Sequence, residues 1–346
     1  MRKKLYLILL LLLAQTSLWA QPTPSAPPKD ITVHDPVMIK QGNTYYLFST
    51  GHGIAVWSST DMQNWKQEKP VFDKAPEWAV QAVAGFKNNH IWAPDISYYK
   101  GKYYLYYSIS AFGKNTSAIG LATNTTLDPA DKNFQWVDHG KVIESVPGVT
   151  NWNAIDPNLV VDKKGQPWLA FGSFWGGLQL AKMSKDRMKV AEDPQDFRII
   201  ASRKKNAAAP NPPAVNGNPV DAGGNAIEAP FIFQKNGYFY LFASIDYCCK
   251  GEASDYKMIV GRSKKVEGPY LDKNGVSMAN GGGSILLEGN QRWNGVGHNS
   301  VYNFDGTDYL IFHGYDATEK GRPKLRVEKL AWDKDSWPVV NAKVGL

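Results

Sequence analysis

Cysteine is almost missing from this chain: there are two in 346 residues, and the two are neighbours, Cys248 and Cys249. Adjacent cysteines staple nothing distant, which excludes a disulfide framework as the source of the fold. They also offer none of the spacings by which zinc is held. Two states stay open for them, a bond between neighbours or a pair of buried thiols. Long apolar runs are missing too, apart from Leu5 to Leu13, which is too short to cross a bilayer as a helix. That run follows Arg2, Lys3 and Lys4, and the small Ala20 closes the segment, so residues 1–20 have the layout of a secretory signal peptide. A secreted or periplasmic protein is expected, with no membrane partner after cleavage. Residues 21–30, rich in Pro, Ser and Ala, read as a flexible lead-in. Basic runs are absent as well. Three of the +7 formal charges belong to the signal segment and the others are scattered, which excludes nucleic acid as a partner.

The chain is rich in aromatic residues, with 12 Trp, 17 Tyr and 14 Phe set among 31 Gly and 21 Pro, and helical periodicity is hardly seen. Such a mixture favours strands and turns. Five segments share one grammar: HDPVMIKQGNTYYLF from His34, WAPDISYYKGKYYLYY from Trp92, IDPNLVVDKKGQPWLAF from Ile155, IEAPFIFQKNGYFYLFA from Ile227 and GHNSVYNFDGTDYLIF from Gly297. Each reads as a short cluster, an alternating strand, a turn and an aromatic strand. Repeats of this size predict an all-β, five-bladed β-propeller with four antiparallel strands per blade, one domain over residues 31–346. In the first blade the strands are expected at 36–40, 44–49, 54–58 and near Val71. The chain enters at a first strand and leaves near a fourth, at Val339 and Val340, so no strand is exchanged to close the ring. Blades one and five are then expected to meet through side chains.

Aligned on Tyr46, Tyr104, Trp168, Tyr240 and Tyr309, the repeats put Asp35, Ala93, Asp156, Glu228 and His298 at one equivalent position. First strands run along the central channel of a propeller, so these residues are expected to converge at one mouth of it. A single acid at a strand start is usually a loop cap, and Asp95 is read that way. Three acids and an imidazole at one position point to a site, because carboxylates crowd together only at a cost. Two facing carboxylates are what glycoside hydrolysis requires, and flat aromatic faces suit the C–H surfaces of sugars. Most of the aromatics are nonetheless expected to pack between blades.

The motifs HDP at 34–36, WAPD at 92–95, IDPN at 155–158, IEAPF at 227–231 and GHNS at 297–300 resemble, in this order, glycoside hydrolase family 43. Within it they most resemble the endo-1,5-α-L-arabinanases, over the whole mature chain. The resemblance implies inverting, internal cleavage of the α-1,5-linked arabinofuranose backbone, with arabinan as the polysaccharide partner. It makes Asp35 the general base, Glu228 the general acid and Asp156 the carboxylate that orients that acid and raises its pKa. It sets Asp35, Trp92, Phe112, Gly120, Asn153, Ser173 and Phe174 against the substrate. His298 would lie beside a metal ion, commonly calcium, in the central channel. A monomer is expected. Exo-acting arabinanases, arabinofuranosidases and β-xylosidases share the three acids and differ in the loops around the cleft, whereas a sugar-binding propeller would lack one of them.

Overall fold

The computed structural model describes residues 30–203 and 225–340. The expected signal segment, the lead-in up to Asp30 and nearly all of the loop between Arg203 and Ala226 lie outside those residues. Five antiparallel sheets follow one another along the chain. Blade one consists of Val37–Gln41, Thr44–Ser49, Ala55–Ser59 and Lys66–Gln67, and blade two of His90–Tyr99, Lys102–Ile109, Ser117–Asn124 and Val137–Ser145. Blade three comprises Asn158–Val161, Pro167–Phe171, Leu178–Lys182 and Arg198–Ala201; blade four comprises Ile227–Lys235, Tyr238–Ile245, Lys257–Ser263 and Ser284–Leu287. Blade five is built from Trp293–Phe304, Thr307–Asp316, Arg322–Trp332 and Pro338–Val340. Two details depart from a plain four-strand count. Gly51–His52, between the second and third strands of blade one, pairs with His90 and Ile91 and so adds a fifth strand to blade two. The fourth strand of blade one begins earlier than expected, and its ladder continues through Glu68 and Val71, whose amides donate to Val56 and Ile54.

The aromatic second strands follow from burial on both faces. In a strand, successive side chains point to opposite sides, and in a propeller each side of a blade is covered by a neighbouring blade. Tyr46 and Phe48 accordingly pack with Leu105 and Tyr107 of blade two, while Tyr45 and Leu47 pack with Phe304 and Ile311 of blade five. Tyr104 and Tyr106 meet Leu169 and Phe171; Trp168 and Ala170 meet Phe239 and Leu241; Tyr240 and Phe242 meet Leu310 and Phe312. Five apolar clusters thus fill five interfaces between blades, and no polar face is left for these strands to show. Most of the aromatics are spent here, as expected.

The last residue of three of the motifs, WAPD, IDPN and GHNS, ties its blade to the next. Asp95 accepts from Asn158 Nδ2 at 3.1 Å and from the Leu159 amide at 2.8 Å, which pins blade two on blade three. Asn158 Oδ1 accepts from the Ile232 amide at 2.8 Å on blade four, and Ser300 Oγ donates to the Pro36 carbonyl at 3.0 Å on blade one. The reading of Asp95 as structural is therefore borne out. Among the described residues no whole strand closes the ring, yet closure does not rest on side chains alone. Thr32 bridges Lys324 on the outer edge of blade five, and the Leu325 amide donates to the Ile31 carbonyl at 3.0 Å.

Replacing Asp95 by Ala strands the Leu159 amide and the Asn158 amide group in a buried place. Leaving buried donors unpaired costs about 1–3 kcal/mol, so Asp95→Ala should lower unfolding free energy by about 2 kcal/mol in urea. An unchanged midpoint would show that the tie between these blades carries nothing.

Candidate active site

Each first strand has, just before it or within its first half, a residue in the left-handed conformation: Asp35 (φ 54°), Ala93 (38°), Asp156 (55°), Ala229 (55°) and His298 (51°). In four of the five a proline follows, Pro36, Pro94, Pro157 and Pro230. The ladder skips this pair of residues in blades two, four and five, as a bulge does. The expectation of one shared position for three acids is thereby corrected. Asp35, Asp156 and His298 share it with Ala93, but the blade-four residue there is Ala229. Glu228 lies one place earlier, level with His34, Trp92, Ile155 and Gly297. The slip matters because Glu228 keeps its place in the ladder opposite Ser244, whereas Asp35 and Asp156 occupy the left-handed position.

The bulged amide is met from the preceding blade. Ala93 N donates to Thr50 Oγ1 at 2.8 Å, Asp156 N to Ser108 Oγ at 3.0 Å, His298 N to Ser244 Oγ at 2.8 Å and Asp35 N to His313 Nδ1 at 3.2 Å. These acceptors all lie four residues beyond the anchors Tyr46, Tyr104, Tyr240 and Tyr309. Blade three has Gly172 at that place, which offers no side chain. The Ala229 amide is instead taken by Asp156 Oδ2 at 3.1 Å. A missing hydroxyl in blade three thus draws the Asp156 carboxylate to the peptide beside Glu228.

Asp35 is 7% exposed and fully partnered. Its Oδ1 lies 2.8 Å from His34 Nδ1 and 2.9 Å from His298 Nδ1, and its Oδ2 accepts from Thr50 Oγ1 at 2.5 Å. Burial alone would raise its pKa, but the charges and hydrogen bonds of His298 and His34 hold it well below the usual carboxylate range. Behind His34, the Tyr315 hydroxyl contacts Nε2 at 2.6 Å, and the His313 ring stacks on it at 3.9 Å.

The other two acids move the opposite way. Burial, then repulsion from Glu228 and Asp35, lift Asp156 to about 8 against the pull of His298. Burial also raises Glu228, opposed by the Tyr256 hydroxyl, which lies 2.7 Å from its Oε1, and by His298. Tyr256 can reach Glu228 because Gly297 faces it: a Cβ on Gly297 would lie 2.1 Å from Cδ1 of that ring. The glycine of GHNS is therefore a place where another backbone must come close. Burial would push His298 down, but Asp35 and Asp156 outweigh it and lift the imidazole to about 9.

A cleft of about 330 Å³ opens over Glu228. Trp92, Phe112, Asn153, Ser173 and Phe174 line it, five of the six substrate positions expected besides Asp35. Phe112 is 71% exposed, an uncovered ring at the rim. Trp92 is oriented by its indole N–H, which donates to His90 Nδ1 at 2.9 Å. Asn153 is held by Ser117 at 2.6 Å and Ser173 at 3.0 Å. Gly120 is placed elsewhere. It is buried in the third strand of blade two, where a Cβ would lie 2.5 Å from Tyr107 and 2.6 Å from Trp78, so its smallness serves packing. Of the two states left open for the cysteines, the structure has the bond between neighbours, with Cys248 half-buried and Cys249 exposed.

His298 gives its Nδ1 side to Asp35, so a metal ion held by this residue would have to be met by Nε2. A position that favours an imidazolium also favours a cation. Calcium would draw most of its oxygen ligands from water, since the described clusters with metal-binding reach, His34 with Cys248 and Cys249, and His34 with Asp35 and His313, do not include His298. Tyr256, Tyr315, Thr50 and His313 were not singled out from the sequence. Thr50 and His313 could have been, because they recur at a fixed distance from the repeat anchors.

Residues 26–338 match glycosyl hydrolases family 43. An extracellular exo-α-(1→5)-L-arabinofuranosidase of Cellvibrio japonicus is 50% identical over 315 residues, 91% of this chain and 88% of that protein. An extracellular endo-α-(1→5)-L-arabinanase of Bacillus subtilis is 44% identical over 310 residues, 88% of this chain and 87% of its own. The structure of Cellvibrio cellulosa α-L-arabinanase complexed with arabinohexaose superposes with a TM-score of 0.85 at 50% identity, covering 91% of this chain and 97% of the other. With the propeller, the paired acids and these relatives in agreement, the chain belongs to glycosyl hydrolase family 43.

Proposed function

We propose that this protein is exported and hydrolyses the α-1,5 linkages between arabinofuranose units of arabinan, with inversion at the anomeric carbon. The observation that carries this reading is a pair of largely covered carboxyl groups, near enough to feel each other's charge, whose pKa values are driven in opposite directions. The imidazoles of His298 and His34 favour the ionised form of Asp35, whereas burial raises the pKa of Glu228 and so favours its protonated form. An inverting glycosidase needs both at once. Asp35 accepts a proton from the water that attacks the anomeric carbon. Glu228 delivers its proton to the leaving glycosidic oxygen. Between the coupled acids the proton is assigned to Glu228 on chemical grounds. Asp156 faces the Ala229 N–H, which can only donate and so favours a carboxylate; Glu228 faces a tyrosine hydroxyl, which suits either form. Asp156 then serves Glu228 as the neighbouring negative charge that resists its ionisation.

Internal cutting is the expectation from the motifs. Release from a chain end has the support of the relatives at higher identity: the Cellvibrio japonicus enzyme is named an exo-acting arabinofuranosidase, and a 47% identical structure from a bovine ruminal metagenomic library is an exo-1,5-α-L-arabinanase. The substrate class is the same either way. A calcium ion, where bound, would be held by His298 with water and would add fixed positive charge beside Asp35. Export agrees with the extracellular names of both curated relatives and with a disulfide on the surface.

Product analysis on linear arabinan tests the reading. One short product from the first turnover establishes release from an end, a ladder establishes internal cutting, and no release removes the assignment. Glu228→Ala should lower turnover by about 10³-fold or more while arabino-oligosaccharides still bind, because general acid catalysis contributes 10²–10⁴-fold; retained turnover would place the acid elsewhere.

The pH profile tests the role given to Asp156. Activity is lost as pH rises through the pKa of Glu228, whose folded value lies above that of a free carboxyl. Asn at 156 removes the like charge, so the alkaline limb of kcat should move to lower pH. A limb that stays in place would deny the coupling. For the metal, chelation should cost several-fold in activity and calcium should restore it. Indifference to the chelator would leave His298 as a plain imidazolium partner of Asp35.

A further inference from the structure

Cys248 and Cys249 follow the second strand of blade four, in the turn between Ile245 and the one-turn helix Gly251–Ala253. A bond between sequence neighbours closes no chain loop, so it gains none of the denatured-state entropy by which disulfides usually stabilise. Its effect has to be local, and its locality is the cleft. Cys248 lines the hollow with Glu228, Trp92, Phe112, Phe174 and Tyr247. The Phe174 and Tyr247 rings lie 6.1 Å apart beside it.

The turn is also fastened to the other catalytic carboxylate. Cys249 N donates to the Tyr315 hydroxyl at 2.8 Å; that hydroxyl contacts His34 Nε2 at 2.6 Å, and His34 Nδ1 contacts Asp35 at 2.8 Å. Cys249 Sγ itself lies 3.8 Å from His34 Nε2. One small loop therefore reaches the walls around both acids. As free thiols, the two sulfurs and His34 would be close enough to share a soft metal ion. As a disulfide they present an uncharged, polarizable surface with no proton to donate.

We propose that the Cys248–Cys249 disulfide is a sugar-contacting wall of the cleft, a subsite for the arabinofuranosyl unit next to Glu228. The proposal rests on the arabinan reading and deepens it. The apolar sulfur face continues the surface made by Trp92, Phe112 and Phe174, and it meets the C–H side of the sugar. The Lys250 ammonium, 3.9 Å over the Tyr247 ring, keeps the neighbouring aromatic in place at the rim.

The test compares wild type with Cys248→Ala/Cys249→Ala on linear α-1,5-arabino-oligosaccharides. KM should rise about ten-fold, the equivalent of one good contact, with kcat within about two-fold and the melting temperature nearly unchanged. An unchanged KM overturns the proposal. A fall in kcat at constant KM also overturns it, since the loop would then act through Tyr315 and His34 on Asp35. Should the double variant fail to fold, binding of arabinohexaose to Glu228→Ala is measured before and after reduction with a phosphine. Weakened binding supports the wall, and equal binding refutes it. Alkylation of the unreduced protein at either cysteine refutes it as well. Absence of arabinan hydrolysis by wild type is a separate result, which removes the function rather than the subsite.

Discussion

The residue at each first strand that adopts the left-handed conformation turns its amide toward the preceding blade, where a buried donor has to be met. Thr50, Ser108, Ser244 and His313 meet it in four blades from one recurring place in the second strand. In blade three that place is Gly172, and the obligation passes to Asp156. A structural requirement of the repeat is satisfied by a carboxylate, and the carboxylate is held beside Glu228 as a consequence. The same rule in blade five brings an imidazole, His313, to the amide of Asp35. Variation in one capping residue is thus what makes a five-fold scaffold chemically uneven.

Three largely covered carboxyl groups near enough to feel one another's charge would repel if all were ionised. The structure divides them. Asp35 collects His34, His298 and the Thr50 hydroxyl, and its negative charge is compensated where it stands. Asp156 and Glu228 share no such cation at contact distance, and burial drives a proton onto the pair. The split follows from unequal company rather than from unequal exposure, since all three are largely covered.

Much of this was readable beforehand. The five repeats, their strands and the convergence of three acids followed from periodicity and turn residues. The single-residue slip at Glu228 did not, and the reason is counting. Asp156 lies 12 residues before its anchor because the hairpin of blade three, with Asp162 to Gln166 between its strands, is longer; Glu228 lies 12 before its own because it precedes the bulge. The prolines after the bulged residue would have separated the two cases. Tyr256 and Tyr315 belong to no repeated pattern, and only coordinates connect them with Glu228 and Asp35. Gly120 was misjudged for a related reason: a glycine kept clear for two aromatic rings looks in sequence like one kept clear for a ligand.

Asp35 and Glu228 also differ in how firmly they are held. Asp35 is gripped from three sides, by groups that are themselves braced: His34 between Tyr315 and the His313 ring, and Thr50 by the amide of Ala93. Glu228 faces the open cleft and is met by the Tyr256 hydroxyl, whose ring rests against Gly297. A base that activates water gains from a fixed direction, because the water must lie in line with the bond being broken. An acid must instead stay with an oxygen that moves away as the bond breaks. The scaffold gives Asp35 the rigid mount and Glu228 the freer one, which is the division of labour that the proposed inversion asks for.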